Sequence, residues 1–543
     1  TTCSDINSSC YTTCDTTYGS GCTSTCQSTF STCTSGCNEQ VYNILYNNAY
    51  GYYLESSTSD SATGITGLIY NNTNSGIYFN NSDAHISSVV LYGNTNAGII
   101  INNSDPGDNY LEINGVEING SRYGLRAENS VKLRLSDTGE NTYYTNTYGI
   151  YFNSVNGSIF TSDTDFGEGP LVIHNNTQNI FLTNSHFNLF DYVTVYGGAT
   201  GINLSGSNNN TLTNNVIANF TAYNLQLSGS ANNSIYNNHF ENTSGGKIAE
   251  DNTGNNIWNR TYNCTLGINN ILGEPCWGGN YWSPYLGTDT TGDSIGNTLL
   301  PFNITNSADV VTGLDYLPLT NNLAACGNIS RDVNLVEDIT TNGTCFVVMA
   351  ENITVNLGGY TITGDGTGTG IDISNYSGVS VINGAFTNFS TAIYVDPATN
   401  INISNTTLTQ NGYGILFSEI NNSFISNNQI INNTYGISLI NSPNNTLTTN
   451  NLSINSYGLV LTDSINNSIY NNYFNNTAAN AQSNSFNFWN SSYTLANSII
   501  GKSHSGGNFW SDYTGRDTGS GSYPYNTTED GIGDTNIPYW VGN

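Results

Sequence analysis

The chain has 543 residues, of which 9 are Lys or Arg and 39 are Asp or Glu, giving a net charge of −30 from only 9% charged residues. A surface of that sign repels phosphate and holds no basic cluster, so nucleic acid and anionic membrane are excluded as partners and cations are the natural counter-charges. No apolar run approaches the ~20 residues of a membrane-inserted helix, and 37% hydrophobic with 12% aromatic residues supply more burial than disordered tracts contain.

Residues 1–40 hold a comb of cysteines. At ~100° per residue, Cys3, Cys10 and Cys14 share one helical face and Cys22, Cys26, Cys33 and Cys37 share a second. The turn-forming stretch Tyr18-Gly19-Ser20-Gly21 lies between them. Folded back antiparallel, the two halves predict a small disulfide-rich helical hairpin with nested rungs Cys14–Cys22, Cys10–Cys26 and Cys3–Cys33. Cys37 is then left over, either as a thiol for intermolecular pairing or closing onto another partner within the chain. The cysteines, the single Met and a start at Thr1 suit a secreted chain in an oxidising, extracellular compartment. Roughly thirty Asn-x-Ser/Thr sequons, from Asn7 to Asn526, make N-linked glycans a candidate modification.

Residues 41–277 read as a first solenoid. The pairs Gly76-Ile77, Gly98-Ile99, Gly124-Leu125, Gly149-Ile150 and Gly201-Ile202 mark coils of variable length, as corner insertions produce. Residues 278–322 form an Asp/Gly/aromatic tail and linker, opening on Gly278-Gly279-Asn280-Tyr281-Trp282. Here Asp289, Asp293 and Asn297 sit in an oxygen-rich loop of the kind calcium prefers. Tyr281, Trp282 and Tyr285 are placed to cap the solenoid end. Cys264–Cys276 is the expected local disulfide.

Residues 323–505 repeat more strictly. Gly370-Ile371, Ala392-Ile393, Gly414-Ile415, Gly436-Ile437 and Gly458-Leu459 recur about every 22 residues. In the same register run apolar columns such as Val381, Ile403, Ile425, Leu447 and Ile469. Apolar residues two apart have strand periodicity, so each coil predicts three short strands with Asn/Gly corners. Two Asn columns, Asn400 to Asn466 and Asn428 to Asn472, are expected to bond copy to copy. Cys326–Cys345 braces the first coil. Residues 506–543 form a second tail, with Gly506-Gly507-Asn508-Phe509-Trp510 and the candidate calcium ligands Asp517, Asp530 and Asp534. The segment from Asn232 to Asn238 recurs letter for letter at Asn466 to Asn472, so the chain is a tandem duplicate. The fold class is all-β: a right-handed parallel β-helix in tandem, with no Leu-rich consensus or helical segment to suggest a leucine-rich horseshoe.

The Gly-Ile-x-Leu and Asn-Asn-x-Ile-x-x-Asn-Asn coils and the Gly-Gly-Asn-Tyr/Phe-Trp-Ser tails resemble the NosD-like, pectin-lyase-type β-helix repeats, especially secreted surface proteins of methanogenic archaea. The resemblance covers about residues 41–543. It implies the solenoid fold and, by the family name, a periplasmic copper role. The chain offers only dispersed His85, His174, His186, His239 and His504 and the lone Met349, a poor copper set.

Catalytic patterns are sparse. There is no Asp-Asp dipeptide, no His-Gly and no Arg-x-Lys. Arg122, Arg126 and Arg134 are a loose basic group that reads as charge balance on an acidic surface, and Asp163 and Asp165, with Glu168 nearby, are a candidate carboxylate pair for glycoside hydrolysis that reads more simply as a corner insertion. The sequence therefore points away from an enzyme. It points to an extracellular structural protein whose partner is itself, a homopolymer forming a cell-surface coat, sheath or filament with intersubunit disulfides and no cofactor other than the candidate calcium. The alternative is a polysaccharide lyase or hydrolase, or a carbohydrate-binding β-helix.

Overall fold

The computed structural model describes residues 44–55, 65–82, 86–107, 110–135, 140–161, 171–265, 268–518, 530–533, 535, 539 and 541. The expected N-terminal hairpin, with Cys3, Cys10, Cys14, Cys22, Cys26, Cys33 and Cys37, lies outside them. Among the described residues every regular element is a strand, with no helix.

The repeat columns become strand partners. Ile371, Ile393, Ile415, Ile437 and Leu459 are successive neighbours across parallel pairs. So are Val381, Ile403, Ile425, Leu447 and Ile469, on another strand of the coil. All ten side chains are at most 1% exposed, and burying each is worth roughly 1.5–3 kcal/mol. One coil runs Tyr435–Ile440, Thr446–Thr448 and Asn451–Ser453. The next runs Tyr457–Thr462, Ser468–Tyr470 and Tyr473–Asn475. Gly414 and Gly436 start their strands against the coil that follows. A Cβ there would lie 2.6 or 2.5 Å from the next glycine's carbonyl oxygen, so glycine gives the close approach without a shift at these coils, while Ala392 holds the same position one coil earlier.

The first solenoid has the same logic with longer corners. Ile77, Ile99, Leu125, Ile150, Ile180, Ile202 and Leu225 follow one another in parallel register. The coils at Ile180 and Leu225 open on Asn179 and Asn224 instead of glycine, which hides them from a Gly-Ile pattern.

Of the two Asn columns, one forms the expected ladder. The Asn428 Nδ2 donates to Asn450 Oδ1 at 2.9 Å, Asn450 to Asn472 at 3.0 Å, and Asn472 to Asn508 at 3.0 Å. The column Asn400, Asn422, Asn444 and Asn466 does not. Its φ angles are 58°, 53°, 60° and 59°, and its side chains face solvent. Each corner needs one left-handed residue, which Asn tolerates. The residue after it turns inward, so the bonded stack is Asn445, Asn467 and Asn487.

The chain divides into two compact units: residues 1–261, 278–284 and 301–318, and residues 262–277, 285–300 and 319–543. Both expected local disulfides are present, Cys264–Cys276 and Cys326–Cys345. The second links consecutive coils, since Gly327 pairs with Phe346. In the first unit Trp282 stacks between Phe240 and Phe302, with ring centroids 4.6 and 4.8 Å away. In the second, Trp510 stacks between Phe474 and Tyr539 at 4.5 and 4.3 Å. These aromatics continue the interior columns past the last full coil.

Candidate functional site in the closing loops

The two tails fold into equivalent loops. Tyr262 donates its hydroxyl to Asp293 Oδ2 at 2.9 Å, and Tyr493 donates to Asp530 Oδ2 at 2.8 Å. The other oxygen of each aspartate accepts the backbone N–H two residues on, Ile295 at 3.0 Å and Ile532 at 2.8 Å. Tyr285 and Tyr513 donate to the carbonyls of Thr298 and Thr535. Each ring fills the space a side chain would take at Gly296 or Gly533.

The three candidate ligands of the first loop all meet protein donors. Asp289 accepts from the N–H groups of Thr291 at 3.0 Å, Gly292 at 2.7 Å and Ser294 at 2.7 Å, and from Arg331 Nη2 at 3.2 Å. The Asn297 side-chain oxygen accepts from Thr290 N and Oγ1 at 2.8 and 2.9 Å. In the second loop Asp517 accepts from Gly531 N at 2.9 Å; Asp534 lies outside the described residues. The oxygens of the first loop thus face positive hydrogens, the geometry of a turn that organises its own backbone.

Arg331 turns this loop into a buried ionic cluster. Its Nη1 lies 2.6 Å from Glu274 Oε1, and Arg331, Glu274 and Asp289 are 5%, 5% and 0% exposed. Its Nε is buried without a partner. Linear reasoning missed the cluster because Arg331 stands 57 and 42 residues from its two carboxylates. No motif connects those distances.

A second buried carboxylate ends an amide ladder of the first unit. Asn215 donates to Asn238, Asn238 to Asn280, and Asn280 N to Asp315 Oδ2 at 2.8 Å. Trp282 Nε1 adds a bond of 2.9 Å. Burial pushes the Asp315 carboxyl up to about 6, against the pull of these donors. Other ladders end likewise: Asn256 Nδ2 donates to Asp251 Oδ2 at 3.1 Å and Asn480 Nδ2 to Asp512 Oδ1 at 2.7 Å.

The remaining candidates do not assemble. Arg126 pairs with Glu128 at 2.7 Å, and Arg122 and Arg126 both lie over the Tyr123 ring. Asp163, Asp165, Glu168 and His85 lie outside the described residues. His174 is sandwiched between Tyr144 and Tyr196, His239 stacks on Tyr281 and His504 on Tyr493. His186 accepts the Asn208 N–H through Nδ1. Burial holds His174 and His239 below the ordinary imidazole value.

Stacked parallel coils with stacked side-chain columns define a tandem β-solenoid repeat protein. The chain belongs to the family described as periplasmic copper-binding protein (NosD), whose model matches residues 108–287 and 320–515. No curated protein matches it. Among solved structures it is similar to the Azotobacter vinelandii mannuronan C-5 epimerase AlgE6 A-module, at 11% identity and a TM-score of 0.20 over 78% of this chain and 90% of that one. It is similar also to sacteLam55A from Streptomyces sp. SirexAA-E, at 11% identity and a TM-score of 0.21 over 83% and 81%.

The side chains described here do not fit the copper of the family's name. Their four histidines are each engaged in a stack or backbone bond, their four cysteines are in disulfides, and Met349 stands apart on the surface. No three His, Cys, Asp or Glu cluster among the described residues.

Proposed function

We propose that this protein is a structural component outside the cytoplasm, in which copies pack through their solenoid surfaces into a coat, sheath or filament. The observation that carries the proposal is the outward surface itself, which repeats with the coil. Tyr413, Tyr435 and Tyr457 stack at 4.7 and 5.1 Å, and Tyr46, Tyr70 and Tyr92 at 4.9 and 4.7 Å. A surface with that period matches a neighbour of the same period in successive registers. The ring faces are spent on one another, which leaves edges rather than the flat platforms a sugar ring stacks on. Two disulfides and the family's description as periplasmic support the location. Cys37 supplies the intersubunit bond in this reading.

Electron microscopy of native material with and without reductant tests the proposal. Regular polymers that loosen with thiols are expected; dispersed monomers in both conditions would overturn it. Release of reducing ends or unsaturated products from acidic glycans would favour the alternative, a polysaccharide-active enzyme. We propose further that the loops close without calcium, because Asp289, Asp293 and Asn297 already accept protein donors. Melting in chelator and in millimolar calcium is expected to coincide, and a calcium-dependent rise in melting temperature would refute closure by protein donors alone.

A further inference from the structure

The solenoid sorts its asparagines into two sets. Inward ones form ladders, and among the described residues no buried asparagine heads an Asn-x-Ser/Thr sequon. The cause is register: the residue two beyond an inward ladder position usually points inward as well, where the coil needs an apolar side chain. Outward asparagines have the opposite property. In the corner triplets that begin at Asn71, Asn209, Asn232, Asn432, Asn444 and Asn466, the first Asn is exposed, with φ between 52° and 60°. The second Asn turns inward and takes the ladder bonds, as Asn72, Asn210, Asn233 and Asn433 do through Nδ2. The third residue is the Ser or Thr, outward again, opening a strand at Thr211, Ser234, Thr446 and Ser468 and lying just before one at Thr73 and Thr434. Amide and hydroxyl thus stand two residues apart on one solvated corner, and the first amide is not used by a ladder.

We infer that these six corner asparagines carry N-linked glycans. The acceptor is Nδ2, which loses a proton and bonds to C1 of a sugar as the C1–O bond of a lipid-linked sugar phosphate or pyrophosphate breaks and that phosphate leaves. A glycan at these positions costs the fold nothing, whereas one at the following residue would remove a ladder rung. The row spacing matters too. Asn209 and Asn232 lie on consecutive coils, as do Asn444 and Asn466, whose backbone N–H groups bond to the coil beyond at Ala231, Asn255, Ile465 and Phe486. Consecutive coils are only about 4.8 Å apart, so each pair competes for space. Asn71 and Asn432 have no sequon beside them in the row, since their neighbours are Gly93, and Gln410 and Ile454. The inference requires only a location outside the cytoplasm and is independent of whether copies assemble.

Glycopeptide mass spectrometry of the full chain, isolated from its own cells, decides it. Sugar is expected on the peptides holding Asn71 and Asn432 and on at least one member of each pair. Recovery of all six asparagines unmodified would overturn the inference. So would sugar found only on Asn203 and Asn451, whose amides are tied to Gln226 and Gln429. An Asn432→Gln chain should lose that glycan and keep its melting temperature, which separates an acceptor from a residue that merely supports the corner.

Discussion

A ladder asparagine and its corner neighbour share a side chain and differ in what the backbone does with it. Asn450 accepts from both nitrogens of Asn428 and donates to Asn472 Oδ1 and Ile425 O. Asn450→Ala leaves several buried groups unpaired, each worth about 1–3 kcal/mol. A loss of at least 3 kcal/mol is expected (roughly, on those values) in denaturant unfolding followed by tryptophan fluorescence. Asn444→Gly relieves a left-handed corner and should change stability by less than about 0.5 kcal/mol. Tyr143 is the reverse case: its hydroxyl is wholly buried with no partner, so Tyr143→Phe should be neutral or stabilise by about 1 kcal/mol. At Asp315 the folded carboxyl is raised to about 6 from 3.8. The neutral form is the one the fold prefers, so its stabilising contribution is complete below about 3.8 and is lost as pH rises through about 6, a swing of about 3 kcal/mol. Thermal melts of the protein and of Asp315→Asn between pH 4 and 8 should diverge over that window.

At the scale of the coil, the strands and their register were legible in the sequence because inward positions recur with one spacing, as from Ile371 to Leu459. The direction of an individual Asn was not. Asn444 and Asn445 are identical letters, and only the left-handed turn at the first decides which of them enters the ladder. The Arg331 cluster was illegible for another reason: its members come from segments that no periodicity relates. Removing one of its charges is expected to be costly, and Arg331→Ala should destabilise the second unit by about 3–5 kcal/mol in the same fluorescence assay, since two buried carboxylates would remain unpaired. Register also predicts tolerance. Ladder partners stand 22 residues apart, so deleting residues 436–457 removes one whole coil and should leave a cooperative β-type circular dichroism melt. Deleting half that length turns inward columns outward and should abolish it.

For the molecule as a whole, the scarcity of charge has a structural cause. Positions that an ordinary domain gives to Lys and Glu are here given to Asn, Ser, Thr and Tyr, whose side chains can pair with copies of themselves. Some charges stand where a ladder ends, as at Asp251, Asp315 and Asp512, and others face outward from coil strands, as at Glu128 and Asp396.

Those terminations also give the ladders a sense. Each ladder amide hands one Nδ2 hydrogen to the amide of the following coil and the other to a carbonyl of the coil before, while its oxygen accepts from the coil before, so the amide-to-amide bonds all run in one direction. The last amide has a donor to spare; in three ladders a carboxylate accepts it, and at Asn508 backbone carbonyls do. A ladder of this kind reads like an arrow with a stop at its tip. Two such ladders could be joined tip to tail but never tip to tip, and a solenoid can grow in evolution by inserting whole coils upstream of the stop. In the first unit the placement of one buried aspartate, Asp315, marks where the ladder through Asn215, Asn238 and Asn280 is complete.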